Sequence, residues 1–304
     1  MTTVGIVVPA YQAASTIERA LRSLCSQTFE DWRAVVVDDG STDDTAEKAR
    51  SLGDTRILVV SHANSGPAAS RNTALRELDT AHIGFLDADD EWLPDKLAQQ
   101  VPRLQHADLV YADCDVVHPG GTSRPYSARV PPMPSDADPL AWLLSRPNPI
   151  PILTVLVRAS HLAAVGGFQV RYRGPEDLAL WLSLARRGAR FDRVPAVVAR
   201  YHLGANSVSA DPLPMLEAEA QLFEDQTQEL AGTRYQTLAR RRALKTKALG
   251  RQASRSVASP MAERWRDLAV VLHGRLDPRA VASQIAYTLL PGAGASGAAR
   301  DRRA

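Results

Sequence analysis

The sequence predicts an α/β fold built on a mostly parallel, doubly wound sheet. Three observations carry this. Short apolar runs recur at residues 4–8, 34–37, 57–60 and 83–86, as strands buried on both faces require. Segments with helical apolar spacing separate them, and strand–helix alternation at this interval gives parallel βα units. Three of the runs end in polar or acidic residues: Tyr11, the pair Asp38-Asp39, and the cluster Asp87, Asp89 and Asp90. In open α/β sheets ligands bind beyond the carboxyl ends of the strands, so these residues mark a rim with a task.

Each element follows in order. The first strand, 4–8, ends at Pro9. Ser15 with Glu18 forms a capping box for a helix carrying Ile17, Leu21 and Leu24. The second strand is 34–37, and Asp43 or Ser41 caps a helix running to Leu52. After the third strand, 57–60, a turn at 64–67 leads into a helix reaching Leu78, with Pro67 in its first turn. The fourth strand, 83–86, meets the acids. Asp95 caps a helix through Leu97, Val101 and Leu104; 108–111 and 150–157 read as strands. Residues 118–138, rich in Pro, Gly and Ser, read as a long loop: a lid, an acceptor-binding segment or disorder. Gly166-Gly167-Phe168 is a turn, 178–186 a helix, and 191–201 a strand that Pro195 consigns to an edge. Beyond Asp211, 213–231 and 236–249 are helical. Arg240, Arg241, Arg242, Lys245, Lys247, Arg251 and Arg255 form a basic stripe there, either a solvated face or a seat for anionic lipid heads or a partner. The tail from Gly292 reads as disordered.

Composition excludes several classes. The 304 residues are 45% hydrophobic and 23% charged, enough for a full core. A net charge of +2 provides no field for nucleic acid. Cys25 and Cys114 form no CxxC or zinc spacing, which points to a reduced cytosolic compartment. Residues 1–3 run straight into the first strand with no signal-peptide pattern. The longest charge-free stretch, between Arg279 and Arg300, is broken by Pro291 and glycines and does not read as a membrane span. No GxGxxG follows the first strand, and GxxxxGK[ST] and GxSxG are also missing, which disfavours dinucleotide dehydrogenases, P-loop kinases and nucleophile-elbow hydrolases.

The acids define the chemistry. On an extended chain Asp87 and Asp89 share one side and Asp90 takes the other. Carboxylates this close raise each other's pKa unless a cation intervenes. A hard divalent cation shared with substrate phosphates is the usual answer; a solvated acidic turn with Asp90 or Asp95 as helix cap is the alternative.

Five segments, taken in order, resemble family 2 glycosyltransferases: Val8-Pro9-Ala10-Tyr11, 37–43 with Asp38-Asp39-Gly40-Ser41, 66–72 with Arg71-Asn72, Asp87-Ala88-Asp89-Asp90, and Glu176-Asp177. The resemblance spans residues 3–205. It implies a GT-A fold, Rossmann-like with helices on both faces of the sheet, plus a C-terminal helical extension. It divides the chain into a nucleotide-sugar-binding half (1–110), an acceptor-binding half of the same domain (111–210) and a basic helical extension (211–304). It implies an inverting transferase. Pro9, Ala10 and Tyr11 would line the nucleobase pocket, with the Tyr11 ring on the base. Asp38 and Asp39 would accept from base or ribose, and Asn64, Gly66, Arg71, Asp87 and Ala88 would complete the donor site. Asp89 would bind the metal (Mn2+ or Mg2+) with Asp87 beside it, and His202, within Arg200-x-His202 followed by Ser207, would touch the metal or the diphosphate. Asp177 would be the general base and Glu176 its neighbour. The implied partners are a nucleotide-sugar donor, UDP-linked first, and a glycan, lipid-linked or small-molecule acceptor. The implied setting is the cytoplasm, at the inner membrane face if the basic helices seat there. Residues 118–138 match no motif, and no Gln-x-x-Arg-Trp is present, so transfer of one or a few sugars is expected. A nucleotidyltransferase that makes the sugar nucleotide, or a non-catalytic scaffold using the basic helices, are the alternatives; pyrophosphate release or turnover-free binding would mark them.

Overall fold

The computed structural model describes residues 4–203 and 212–255. Ser207, the stretch 279–300 and the tail from Gly292 lie outside them. The strands are β1 (Val4–Ala10), β2 (Trp32–Asp38), β3 (Ile57–Ser61), β4 (His82–Phe85), β5 (Glu91–Trp92), β6 (Leu109–Val117), β7 (Ser123–Pro125), β8 (Leu156–Arg158) and β9 (Phe191–His202). The helices are α1 (Ile17–Cys25), α2 (Thr45–Ser51), α3 (Pro67–Glu77), α4 (Lys96–Gln100), α5 (Pro139–Ser145), α6 (Ala159–Val165), α7 (Glu176–Arg186), α8 (Pro212–Glu229) and α9 (Gln236–Arg255).

The strands make one sheet in the order β3-β2-β1-β4-β8-β6-β9-β5, with β7 hung on β6. The β3-β2-β1-β4 half is parallel. β8 runs against both β4 and β6, while β6 and β9 are again parallel. The sheet continues through residue 110, so the two halves read from sequence share one framework.

Alternation along β1 explains the two-faced burial. Val7 enters one core with Val35 and Val37, whereas Val4, Ile6 and Val8 enter the other with Ala34 and Val36. The first core is covered by α3, α5, α6 and α7 and by Leu222, Phe223, Ala239 and Ala243 of α8 and α9. The second is covered by α1, α2 and α4. These residues of α8 and α9 are therefore packed into the main core. The basic stripe is correspondingly divided. Arg242 is buried over the Phe223 ring and pairs with Glu219, and Lys247 pairs with Glu224, while Arg240, Arg241 and Arg251 stay exposed.

Several boundaries differ from the sequence reading. β1 runs through Pro9 to Ala10; its ladder with β4 ends at Val7↔Phe85, so no partner on that flank needs an amide from Pro9. α1 begins at Ile17 rather than being capped by Ser15, and no side chain caps it. The segment 150–157 is not one strand. Pro151 interrupts it, and a 3-10 turn (Ile152–Thr154) precedes the short β8. α5 and α6 were not foreseen; Asp138 caps α5 by accepting from the amides of Leu140 and Ala141. Within 118–138, β7 and a turn at Tyr126–Ala128 give part of the loop regular form. Pro195 falls in the irregular register between β6 and β9, and β5 covers only Ala199 and Arg200 on the outer side of β9.

Gly84 is a tight point beneath the acidic rim. A Cβ there would lie 2.8 Å from both Leu156 Cδ2 and the buried Trp92 ring. Trp92 has no room to yield, so Gly84→Ala is expected to lose about 1–3 kcal/mol in urea unfolding; an unchanged midpoint would contradict this packing.

Candidate active site

The rim is built by loops that follow β1, β2, β3 and β4. After β1 the chain turns at Gln12, whose φ of 50° is left-handed. Four bonds hold this turn against the loop after β2: the Gln12 amide donates to Ser41 Oγ (3.0 Å), Gln12 Nε2 to Thr42 Oγ1 (2.9 Å), the Thr42 amide to Gln12 Oε1 (3.2 Å), and the Ala14 amide to Asp43 Oδ2 (3.1 Å). Tyr11 projects from this latched turn, 54% exposed. Pro9 and Ala10 lie buried behind it.

Asp38 and Asp39 are both buried. Asp38 Oδ1 accepts from the Ser41 amide at 3.1 Å. Asp39 accepts from the amides of Ser65 (2.8 Å) and Gly66 (2.9 Å), one on each oxygen. It thereby fixes the loop that presents exposed Asn64 and starts α3. Gly40 (φ +73°) makes the approach possible, since a Cβ there would meet the Asn64 amide at 2.8 Å. Gly66, at φ +90°, then turns the chain into Pro67.

The acids after β4 do not alternate as on a strand. Leu86 still bonds Val7, but the Asp90 amide donates to the Asp87 carbonyl, closing a turn over 87–90. Asp90 is fully buried and accepts from the His202 amide at 2.8 Å. Burial and its two acidic neighbours hold its pKa well above the ordinary carboxylate value. Asp89 is pushed up to about 6, first by burial and then by the charge of Asp87, with Arg19 a weaker offset. Ala88 is buried between them. His202, on the same rim, holds Glu91 through Nε2 at 2.7 Å, and Arg19 bridges Glu91 and the Asp89 carbonyl. Among the described residues no group of three or more His, Cys, Asp or Glu side chains converges on a common point.

Arg71 ties this turn to the opposite wall. Its side chain is 6% exposed; one terminal nitrogen donates to Asp87 Oδ1 at 2.7 Å and the other to Glu176 Oε1 at 2.9 Å. Phe168 lies under the guanidinium at 5.5 Å. The next residue, Asn72, pairs in both directions with the Phe168 backbone, at 2.8 Å each way. Both terminal nitrogens of Arg71 are thus committed to holding Asp87 and Glu176.

Glu176 and Asp177 open α7, where unpaired amides and the helix dipole favour acids. Glu176 also accepts from the Gly174 amide (2.8 Å). Asp177 accepts from the Leu178 amide (2.6 Å) and from Asn148 Nδ2 (2.9 Å). Its pKa is nevertheless pushed up to about 7, by burial first, then by Glu176, with Asp87 adding and Arg71 opposing. A half-buried carboxyl poised near neutrality at a site mouth is suited to taking a proton.

Sequence reasoning quoted Asn72 within the 66–72 segment but gave it no role, and gave none to Glu91, Arg19 or Asn148. Of these three, only Asn148, set between Pro147 and Pro149, carried a local signal.

A sequence model described as Glycosyl transferase family 2 matches residues 5–161. Over 222 residues the chain is 30% identical to the putative teichuronic acid biosynthesis glycosyltransferase TuaG of Bacillus subtilis, covering 68% of this chain and 82% of that protein. It is 28% identical over 231 residues to the Escherichia coli UDP-Glc:alpha-D-GlcNAc-diphosphoundecaprenol beta-1,3-glucosyltransferase WfaP, covering 74% and 86%. In fold it is similar to S. aureus TarS 1-349 in complex with UDP-GlcNAc (TM-score 0.64, 18% identity, covering 93% and 89%). It is also similar to the mannosyltransferase PcManGT of Pyrobaculum calidifontis in complex with GDP-Man and Mn2+ (TM-score 0.61, 21% identity, covering 94% and 84%). The chain belongs to glycosyl transferase family 2, with a GT-A fold, and is a glycosyltransferase. The nucleotidyltransferase and scaffold alternatives fall away with that placement.

Removing Arg71 leaves the buried Glu176 and the partly exposed Asp87 without their cation. Arg71→Leu is expected to lower stability by about 3–5 kcal/mol in chemical denaturation; a loss below about 1 kcal/mol would mean that the bridge does not form.

Proposed function

We propose that the chain transfers a sugar from a nucleoside diphosphate donor, UDP-linked first, to an acceptor hydroxyl with inversion at the anomeric carbon. The observation that carries this reading is the pairing across one site of an acidic turn, in which Arg71 matches Asp87 but Asp89 is left short of positive charge, with a separate carboxyl, Asp177, poised near neutrality. The base stacks on Tyr11 beside Pro9 and Ala10, and Asp38, Asp39, Asn64 and Gly66 form the floor for base and ribose. Asp87 and Ala88 bound the sugar diphosphate.

Asp89 fits a hard divalent cation, because its carboxylate is desolvated, crowded by Asp87 and only weakly matched by Arg19. Asp89, with Asp87 beside it, would hold the cation from the protein side, and the donor's diphosphate oxygens would supply further hard ligands. Mg2+ or Mn2+ bound there would supply Lewis-acid neutralisation of the leaving group. His202 stands at the same rim, beside the diphosphate in this reading. Asp177 takes the proton of the acceptor hydroxyl, and Glu176, held by Arg71, keeps it in line. In-line attack needs the base across the sugar from the leaving group, a position α7 supplies independently of the β4 turn.

A lipid-linked acceptor fits the relatives, since WfaP is named for a diphosphoundecaprenol acceptor. Among the described residues no helix is long and apolar enough to cross a membrane. We therefore assign any membrane contact, at the cytoplasmic face, to exposed Arg240, Arg241 and Arg251 of α9.

Three outcomes test the reading, with release of UDP from UDP-glucose and UDP-N-acetylglucosamine as the assay. Asp177→Asn should cost about 10²–10⁴-fold in turnover while UDP affinity holds; full turnover would remove Asp177 from the chemistry. Because the base acts ionised and its pKa is raised to about 7, kcat/KM should climb as pH rises through neutrality and fall below it. Chelation should abolish release and Mn2+ restore it, and Asp89→Asn should make the cation ineffective; turnover indifferent to chelator would contradict a metal at Asp89.

A further inference from the structure

The segment 146–151 reads Arg-Pro-Asn-Pro-Ile-Pro. Pro149 restricts Asn148 to extended conformations, and the rings of Pro147 and Pro149 fix φ on either side of it. The result is a stiff strut between α5 and the turn before β8. Every polar group of Asn148 other than its amide N–H is engaged. Its carbonyl accepts from the Tyr126 hydroxyl at 2.9 Å. Its side-chain Oδ1 accepts from the Ile150 amide at 3.1 Å. Its Nδ2 donates to Asp177 Oδ2 at 2.9 Å. The orientation of the side-chain amide is dictated by chemistry: a backbone N–H only donates and an ionised carboxylate only accepts, so a flip would break both bonds.

The Leu178 amide holds the other oxygen of Asp177. The carboxylate plane is thus fixed from two elements, the N-terminus of α7 and the proline strut, and each oxygen keeps a lone pair for an incoming hydroxyl. We infer that Asn148 is the positioning residue of the base, aiming the Asp177 carboxylate and favouring its ionised form. Through Tyr126 it ties that carboxylate to the 118–138 segment. The inference rests on Asp177 acting as the base. The other groups facing Asp177 are Glu176 on α7, Arg71 from α3, Asp87 after β4 and Tyr126. None of these four donates a hydrogen bond to its oxygens, whereas Asn148 does. Tyr126 is half-buried and its phenol is pushed well above its usual pKa, mainly by desolvation, so it serves as a neutral donor to the strut.

The test uses the full chain with aspartate carboxyls labelled by 13C, the Asp177 resonance being identified by its loss in Asp177→Asn. This titration needs neither donor nor acceptor. In Asn148→Ala the midpoint of Asp177 should move up by about one unit, the size of a lost charge-assisted hydrogen bond. The acid limb of UDP release from UDP-glucose should move with it. kcat should fall about tenfold at pH 7 with KM for the donor unchanged, and part of the loss should return at higher pH. Asn148→Asp, which sets a second carboxylate against the first, should move the midpoint further and serves if the alanine variant does not fold. Tyr126→Phe should shift it in the same direction by less. An Asp177 midpoint and acid limb that stay in place in the Asn148 variants would overturn the inference while leaving the base reading intact. Turnover that survives Asp177→Asn would overturn the base reading itself, and the role of Asn148 with it.

Discussion

The guanidinium of Arg71, buried between Asp87 and Glu176, is the contact on which the rest of the site depends. It joins two elements far apart in sequence, the turn after β4 and the start of α7, at 2.7 and 2.9 Å. A buried ion pair contributes little net stability, because desolvation of three charges offsets most of their attraction. Its contribution is positional. Phe168 closes one face of the guanidinium, and Asn72 pins the Phe168 backbone, so the arginine has one place to go. One cation then governs the spacing between the proposed donor side and the proposed base.

The charge balance around that cation explains the unusual acids. Arg71 directly compensates Asp87 and Glu176, and the remaining carboxyls are left short. Asp89 and Asp177 both feel burial and the charge of a neighbouring acid, and both are raised, to about 6 and about 7. Asp87 raises both of them, so the two walls share one field. In the proposed reaction a cation at Asp89 would lower the negative potential at Asp177 as well, coupling donor binding to the readiness of the proposed base. The sheet makes this possible. Parallel strands end on one rim, and β8 and β9 bring the second wall beside it.

Much of this was legible in the sequence, for identifiable reasons. Parallel strands buried on both faces leave unbroken apolar runs, so β1 to β4 could be read directly. Their acidic ends mark the rim, and Pro67 and Gly66 mark the start of α3. The second wall was harder. Its strands are antiparallel or bulged, and prolines interrupt the stretch before β8. The turn at 87–90 is a tertiary outcome: the same acids fit a strand end equally well until Asp90 finds the His202 amide. Arg71 was recognisable as important, but its partner Glu176 lies 105 positions away, and nothing local announces that bridge. α8 and α9 read as an extension because their charge pattern hides how Arg242 turns inward to Glu219 over the Phe223 ring, while Lys247 pairs with Glu224 nearer the surface.

The account predicts a specific arrangement once a donor is present, and a crystal structure of the chain with a non-hydrolysable UDP-sugar analogue and Mn2+ tests it most directly. The expected result is a cation bonded to Asp89 and the diphosphate, the base against Tyr11, and the Asp177 carboxylate on the open face of the anomeric carbon with the Arg71 bridge intact. A sugar whose leaving diphosphate lies on the same side as Asp177, or a bridge that opens when the donor binds, would contradict it.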